Sequence, residues 1–309
     1  MLLQKVEIRN FRLSGKDIIW EIKPDTSILV GKNGTGKTTV LRLIAAALKQ
    51  GQTEADMALL IQIESISLYF EGNNVIEIDG NGGVTTQGKG INGIKWAFIE
   101  TFDVPNEEGK SVLDELLAKL TNDFLLFQSN LREDIDTIYT QKNKFSAQEI
   151  AQIEQNVAIN HERRERFEAT VNHFFADSDK VLKIKKGFTF LLNQEISLPI
   201  TALSSGEKQL LVILLQVFMQ NEQPYLLFLD NPEISMHTYW QRELLTKIRI
   251  INPNCQLIVA THSGSLLSRG WIENFTDVQE IIKLRTVNQE SINSAILYWT
   301  TDTATTWQN

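Results

Sequence analysis

The sequence predicts an α/β fold arranged around a P-loop, and three observations predict it. Gly31-Lys32-Asn33-Gly34-Thr35-Gly36-Lys37-Thr38 is a glycine, a spacer and Gly-Lys-Thr, set between a short apolar run and a helix former. Two later runs, Tyr225–Asp230 and Gln256–Thr261, are largely apolar and end in polar residues, as strands buried on both faces of a parallel sheet do. Between them and the P-loop, residues 111–177 hold no glycine or proline and repeat leucine at helical spacing.

Composition narrows the class. At 309 residues the chain is long enough for one large domain or two. A formal charge of −8 argues against a surface coated for nonspecific nucleic-acid binding, and leaves room for a local basic groove. Cys255 is the only cysteine, so no intramolecular disulfide or cysteine zinc cluster can form, which suits a reducing cytoplasm. The start, Met1–Glu7, alternates like a strand and lacks a signal-peptide core; no apolar run approaches a membrane span.

Residues 3–9 and 18–22 read as strands, with Val6 and Ile8, then Ile18, Trp20 and Ile22, alternating with polar residues. Ile8-Arg9-Asn10-Phe11-Arg12 between them is a strand end and turn, in which Arg12 reads as a solvated turn residue. Ser27–Val30 is the strand entering the P-loop, and Thr39–Leu48 is the helix leaving it, stopped by Gly51. Glycines let the backbone curl so that N–H groups point at phosphate oxygens, and the helix start adds partial positive charge. Lys37 then reaches the β- and γ-phosphates and the Thr38 hydroxyl meets Mg²⁺. The bland alternative is a glycine-rich turn.

Ile61–Phe70 and Val75–Ile78 read as strands around an Asn73-Asn74 turn, Gly80–Gly93 as a surface loop, and Lys95–Glu100 as a strand ended near Pro105. Residues 111–177 read as two or three antiparallel helices inserted between halves of a sheet, with Arg163, Arg164 and Arg166 on a solvated face because acidic residues interleave. Val181–Ile184 and Phe188–Leu192 return to strand, with Lys185-Lys186 as a hairpin tip.

Leu203-Ser204-Ser205-Gly206-Glu207 opens an apolar helix. A serine there is a good N-cap whatever its function; the functional reading is a second anion-binding helix end. Asp230 and Glu233 follow a buried strand: Asp230 suits Mg²⁺, and Glu233 suits a water to be oriented or deprotonated, the alternative being an acidic turn. His262 follows the next strand, where a lone histidine is either structural or part of the same site. The tail from Gly264 carries short apolar runs at Ile281–Leu284 and Ala295–Leu297.

Taken together, these residues resemble an ABC-type ATPase head of the SMC/RecF/OLD-like branch, close to PtuA-like ATPases of anti-phage modules. The resemblance implies an α/β head with a P-loop mixed sheet core, an N-terminal antiparallel β subdomain and an inserted helical subdomain. Its expected layout is an N-terminal lobe at 1–103, the helical insert at 104–180 and a C-terminal lobe at 181–309. It makes Gly31–Thr38 the Walker A motif, with Asn33, Gly34, Thr35, Gly36, Lys37, Thr38 and Thr39 on nucleotide. Arg12 is expected to approach the same nucleotide. Leu203–Glu207 is a variant of the Leu-Ser-Gly-Gly-Gln signature, so Ser204, Ser205, Gly206 and Glu207 are expected on the nucleotide of a second copy. Leu226–Asp230 is the Walker B strand, Glu233 the catalytic glutamate and His262 the switch histidine; His237 stands where transporters carry an aspartate.

ATP and Mg²⁺ are the implied cofactors, with Thr38, Asp230 and Asp103 on the metal. Asp103 takes the Q-loop corner, with Gln128 as the alternative. OLD proteins carry a fused TOPRIM nuclease, which this sequence does not reach, so a nuclease or toxin effector is expected as a separate polypeptide. The implied function is a cytoplasmic ATPase that dimerises around ATP and regulates such an effector, without a membrane and with DNA as a possible partner. The alternatives are a RecF- or SMC-like DNA repair ATPase, a transporter subunit, and a non-hydrolysing scaffold for a toxin.

Overall fold

A computed structural model describes residues 1–88, 91–100, 111–141, 144–184, 187–266 and 270–285. The chain opens with β1 (Leu3–Arg9), β2 (Lys16–Glu21) and β3 (Thr26–Val30), and then α1 (Lys37–Leu48). α2 (Glu54–Leu60), β4 (Ser65–Phe70), β5 (Asn74–Asp79), β6 (Val84–Gln87) and β7 (Trp96–Glu100) follow. Two long helices come next, α3 (Val112–Thr140) and α4 (Ala147–Phe175), then the meander β8 (Lys180–Ile184), β9 (Phe188–Leu192) and β10 (Ile196–Leu198). The C-terminal part holds α5 (Ser205–Phe218), β11 (Tyr225–Asp230), α6 (Thr238–Ile251), β12 (Cys255–Thr261), β13 (Phe275–Asp277), α7 (Val278–Ile281) and β14 (Ile282–Leu284).

The parallel and antiparallel pairing expected of a mixed core is divided between sheets. The P-loop sheet, β13-β3-β12-β11-β7, pairs parallel throughout. A six-stranded sheet, β14-β2-β1-β4-β5-β6, is antiparallel. The parallel sheet lies between two cores, which explains its unbroken apolar runs. Leu227, Leu229, Leu257 and Val259 pack with α5, α6 and the inserted helices. Their neighbours Leu226, Phe228, Ile258 and Ala260 pack with α1 and the antiparallel sheet. Buried Gln256 ties the two sheets together: its amide accepts from Leu3 N (2.9 Å) and donates to the carbonyls of Leu3 and Lys23 (2.8 Å each).

Several elements depart from the sequence reading. The strand expected from Ile61 begins at Ser65, because Ile61 caps α2 and Gln62 and Ile63 still bond back onto that helix. The Gly80–Gly93 loop contains β6, an exposed Val-Thr-Thr-Gln edge strand whose pairing comes from β5 rather than from burial. The arginine cluster is not wholly a solvated face: Arg164 and Arg166 are half-buried and Arg163 is buried. Arg163 lies 4.9 Å over the Phe218 ring and donates to Phe218 O (2.8 Å), while Arg166 pairs with Glu222 at 2.5 Å. These arginines anchor α4 to the end of α5. Asp103, Lys185-Lys186 and Ala295–Leu297 lie outside the described residues. No helix among the described residues is long and apolar enough to cross a membrane.

Candidate active site

The register of the parallel sheet brings the candidate residues together. Val30 pairs with Thr261, Ala260 with Asp230 and Asp230 with Glu100, so four strands end side by side. Open α/β sheets bind ligands at this carboxyl edge. Two glycines shape the loop leaving β3: Gly34 (φ 78°) and Gly36 (φ 103°) are left-handed, and a Cβ at Gly36 would lie 2.8 Å from the Phe11 ring.

Lys37 is folded back across the loop, its ammonium donating to Gly31 O (2.7 Å) and Lys32 O (3.0 Å). Burial lowers its pKa, against the pull of Asp230, Glu233 and Asp277. Thr38 Oγ1 donates to Asp230 Oδ1 at 2.9 Å. Asp230 is fully buried, and burial raises its pKa despite that bond and the charge of Arg42. Glu233 is also buried: its Oε1 accepts from Thr261 Oγ1 (2.6 Å) and His262 N (3.2 Å), while its Oε2 has no hydrogen-bond partner. His262 Nδ1 stands 3.3 Å from Glu233 Oε1 and 3.3 Å from Asn231 Oδ1.

Arg12, which the sequence alone reads as a solvated turn residue, reaches the P-loop. Its guanidinium donates to Thr39 Oγ1 (2.9 Å) and Gly34 O (3.3 Å), and its backbone is left-handed at φ 55°. Asn231 (φ 48°) and Ser235 (φ 66°) are left-handed in the loop after β11, the kind of local strain that gathers at functional sites. Arg12, Asn33, Gly34, Gly36, Lys37, Thr38, Thr39 and His262 all line one cleft of about 390 Å³, joined by Asn231 and Ile234.

The signature residues do not line that cleft. Ser204 caps α5 in a box with Glu207, and Ser204 and Ser205 are exposed. Glu207 points inward and holds Lys180 at 2.7 and 2.8 Å. Gly206 lies against the loop after β11, and Gln209 Nε2 donates to Pro232 O (3.1 Å). Gln128, the alternative Q-loop residue, sits on α3 beside Arg164 and away from the cleft.

Sequence reasoning passed over Thr261, Asn231 and Gln241 as site residues. Gln241 donates to Met236 O (2.9 Å) and accepts from Ser263 Oγ (2.8 Å), joining the loops after β11 and β12. It passed over Glu100 too, whose place beside Asp230 comes from strand register.

The donor set fits a magnesium ion. A hydroxyl and a carboxylate oxygen meet at 2.9 Å, both hard ligands, and the buried charge of Asp230 favours a cation beside it.

The family described as "AAA domain, putative AbiEii toxin, Type IV TA system" matches residues 84–268. The chain belongs to this family. Within the AAA-family match lie the helix start at Ser204, Asp230, Glu233 and His262, while the P-loop precedes it. No curated protein matches the chain. Among solved structures, an Smc head bound to the C-winged helix domain of ScpA superposes with a TM-score of 0.53 at 14% identity, covering 87% of this chain and 92% of that one. A Pyrococcus furiosus Smc head with an extended coiled coil, bound to the C-terminal domain of ScpA, gives 0.50 at 14% identity, covering 97% and 99%. This AAA-family chain therefore has the SMC-type ABC ATPase head fold.

Proposed function

We propose that the chain binds and hydrolyses ATP with Mg²⁺, pairs with a second copy of itself around the nucleotide, and uses that pairing to regulate a separate effector in a cytoplasmic anti-phage module. The observation that carries the reading is the split geometry. Lys37, Thr38 and His262 line one cleft, with buried Asp230 bonded behind Thr38 and buried Glu233 behind His262, while the exposed serines starting α5 lie outside it. A helix start that is exposed beside its own capping box suits the phosphate of a twin.

The chemistry follows from these side chains. Lys37 exchanges its two loop carbonyls for β- and γ-phosphate oxygens, and the N–H groups of the P-loop hold the phosphates. Thr38 and Asp230 would hold Mg²⁺, which supplies neutralising charge to the phosphate oxygens; Asp103 belongs to the same proposal. Thr261 and the His262 amide fix one oxygen of Glu233; Oε2, buried and without a hydrogen-bond partner, is the oxygen that would take the proton of an attacking water. The water oxygen bonds to the γ-phosphorus as the bond to the bridging oxygen breaks, giving ADP and phosphate. His262 and Arg12 line the same cleft and would face the phosphates.

The family description names a putative toxin of a Type IV toxin–antitoxin system, which supports a toxin–antitoxin setting; the separate effector and the defence role are our reading. Calorimetry with ATP and a phosphate-release assay test the core of the reading: micromolar binding and Glu233-dependent turnover are expected. Binding without turnover would favour a toxin-holding scaffold. Salt-sensitive DNA binding by the ATP-loaded dimer would favour chromosome maintenance.

A further inference from the structure

Arg42 and Glu100 have no part in the scheme above, yet they sit directly beside it. Glu100 ends β7 in register with Asp230 on β11, and in-register residues of parallel neighbours leave the sheet on the same face. Arg42 is four residues after Thr38 on α1, hence on the same stripe of that helix. Its Nε lies 3.2 Å from Glu100 Oε1, a charge pair without hydrogen-bond geometry. The Thr38–Asp230 bond and the Arg42–Glu100 pair are therefore neighbouring ties between one helix and two adjacent strands.

The two ties differ in exposure. Asp230 is wholly buried, whereas Arg42 and Glu100 side chains are 42% and 46% exposed. A buried carboxylate attracts any cation that can reach it, and a guanidinium cannot shed its proton to escape. Arg42 is such a cation, on a long side chain, and its partner Glu100 stands in register with Asp230 on the adjacent strand. Glu100 gives it another partner.

We propose that Glu100 is a positioning residue: it holds Arg42 on itself, so that the guanidinium does not compete at Asp230 with the divalent cation accompanying the nucleotide. The inference rests on the nucleotide reading above. Removing the tether frees Arg42 to compete with the metal for the same oxygens; removing Arg42 as well abolishes the competition.

The test is calorimetry of the full chain with adenylyl imidodiphosphate, in Mg²⁺ and again in EDTA, for the unmodified protein, Glu100→Gln, Arg42→Gln and the double variant. In EDTA all four are expected to bind alike. The affinity gained on adding Mg²⁺ is expected to fall about tenfold in Glu100→Gln, the scale of one nearby charge. It should return to within about twofold of the unmodified value in the double variant. An unchanged gain in Glu100→Gln overturns the proposal. So does a double variant as weak as Glu100→Gln, which would make Glu100 a direct ligand or a structural support. Absence of binding by the unmodified chain in both buffers would instead overturn the nucleotide reading beneath it.

Discussion

Gly206 and Ser235 pack backbone against backbone: a Cβ at position 206 would lie 2.1 Å from the Ser235 carbonyl oxygen. The start of α5 and the loop after β11 are thus held at a separation that glycine alone allows. The glycine of the signature-like motif has a packing reason within one chain, independent of any phosphate. Gly206→Ala must push the two apart, and a loss of about 1–3 kcal/mol is expected, as for other overpacked sites. A thermal melt reads it, and unchanged stability would mean the loop yields freely.

Thr261 Oγ1, 2.6 Å from Glu233 Oε1, sets the orientation of the carboxylate proposed as base. Thr261→Val keeps the shape and removes the donor. Leaving a buried carboxylate oxygen short of one bond costs about 1.5–3 kcal/mol. The expected outcome is a kcat lower by roughly tenfold or more with ATP affinity preserved. Steady-state kinetics beside equilibrium binding separate this from a loss of ATP affinity.

Arg12 spans from its turn to Thr39 and Gly34, on the rim of the cleft. Arg12→Ala should leave the melting temperature nearly unchanged, because the side chain is exposed, while ATP affinity weakens about tenfold for one lost charge-assisted contact. A filter-binding or calorimetric titration measures it.

Glu207 links stability to acid. Burial pushes its pKa up, but the bonds from Lys180 and Ser204 more than offset this and hold it below the ordinary value of 4.5. A depressed folded pKa contributes stability that is present above the unfolded value and is lost as pH falls through the folded one. Unfolding titrations of Glu207→Gln should therefore show their largest deficit above pH 4.5 and close on the unmodified protein as pH falls from there through the lowered folded value. A deficit independent of pH would assign the loss to packing.

What the sequence made legible was local. The P-loop, the capped start of α5 and the runs ending at Asp230 and Thr261 announce themselves within a few residues, because turn chemistry, capping and burial on both faces leave short-range patterns. Arg163 was misread for the opposite reason: its partners Phe218 and Asn221 lie more than fifty positions away, and interleaved acidic residues look the same on a solvated helix as on a docked one. Gln256 reads as one polar residue in a strand until the backbone of Leu3 is beside it. Glu100 acquires meaning only from its register with Asp230, which no single segment encodes.

The central claim is that ATP is held between the P-loop cleft of one copy and the serine-capped α5 of another. Light scattering on Glu233→Gln, loaded with Mg²⁺ and ATP, tests it most directly, since blocked turnover should trap the pair. The account predicts twice the monomer mass with ATP and the monomer mass with ADP. A monomer in both, at ATP concentrations that calorimetry proves saturating, would contradict it.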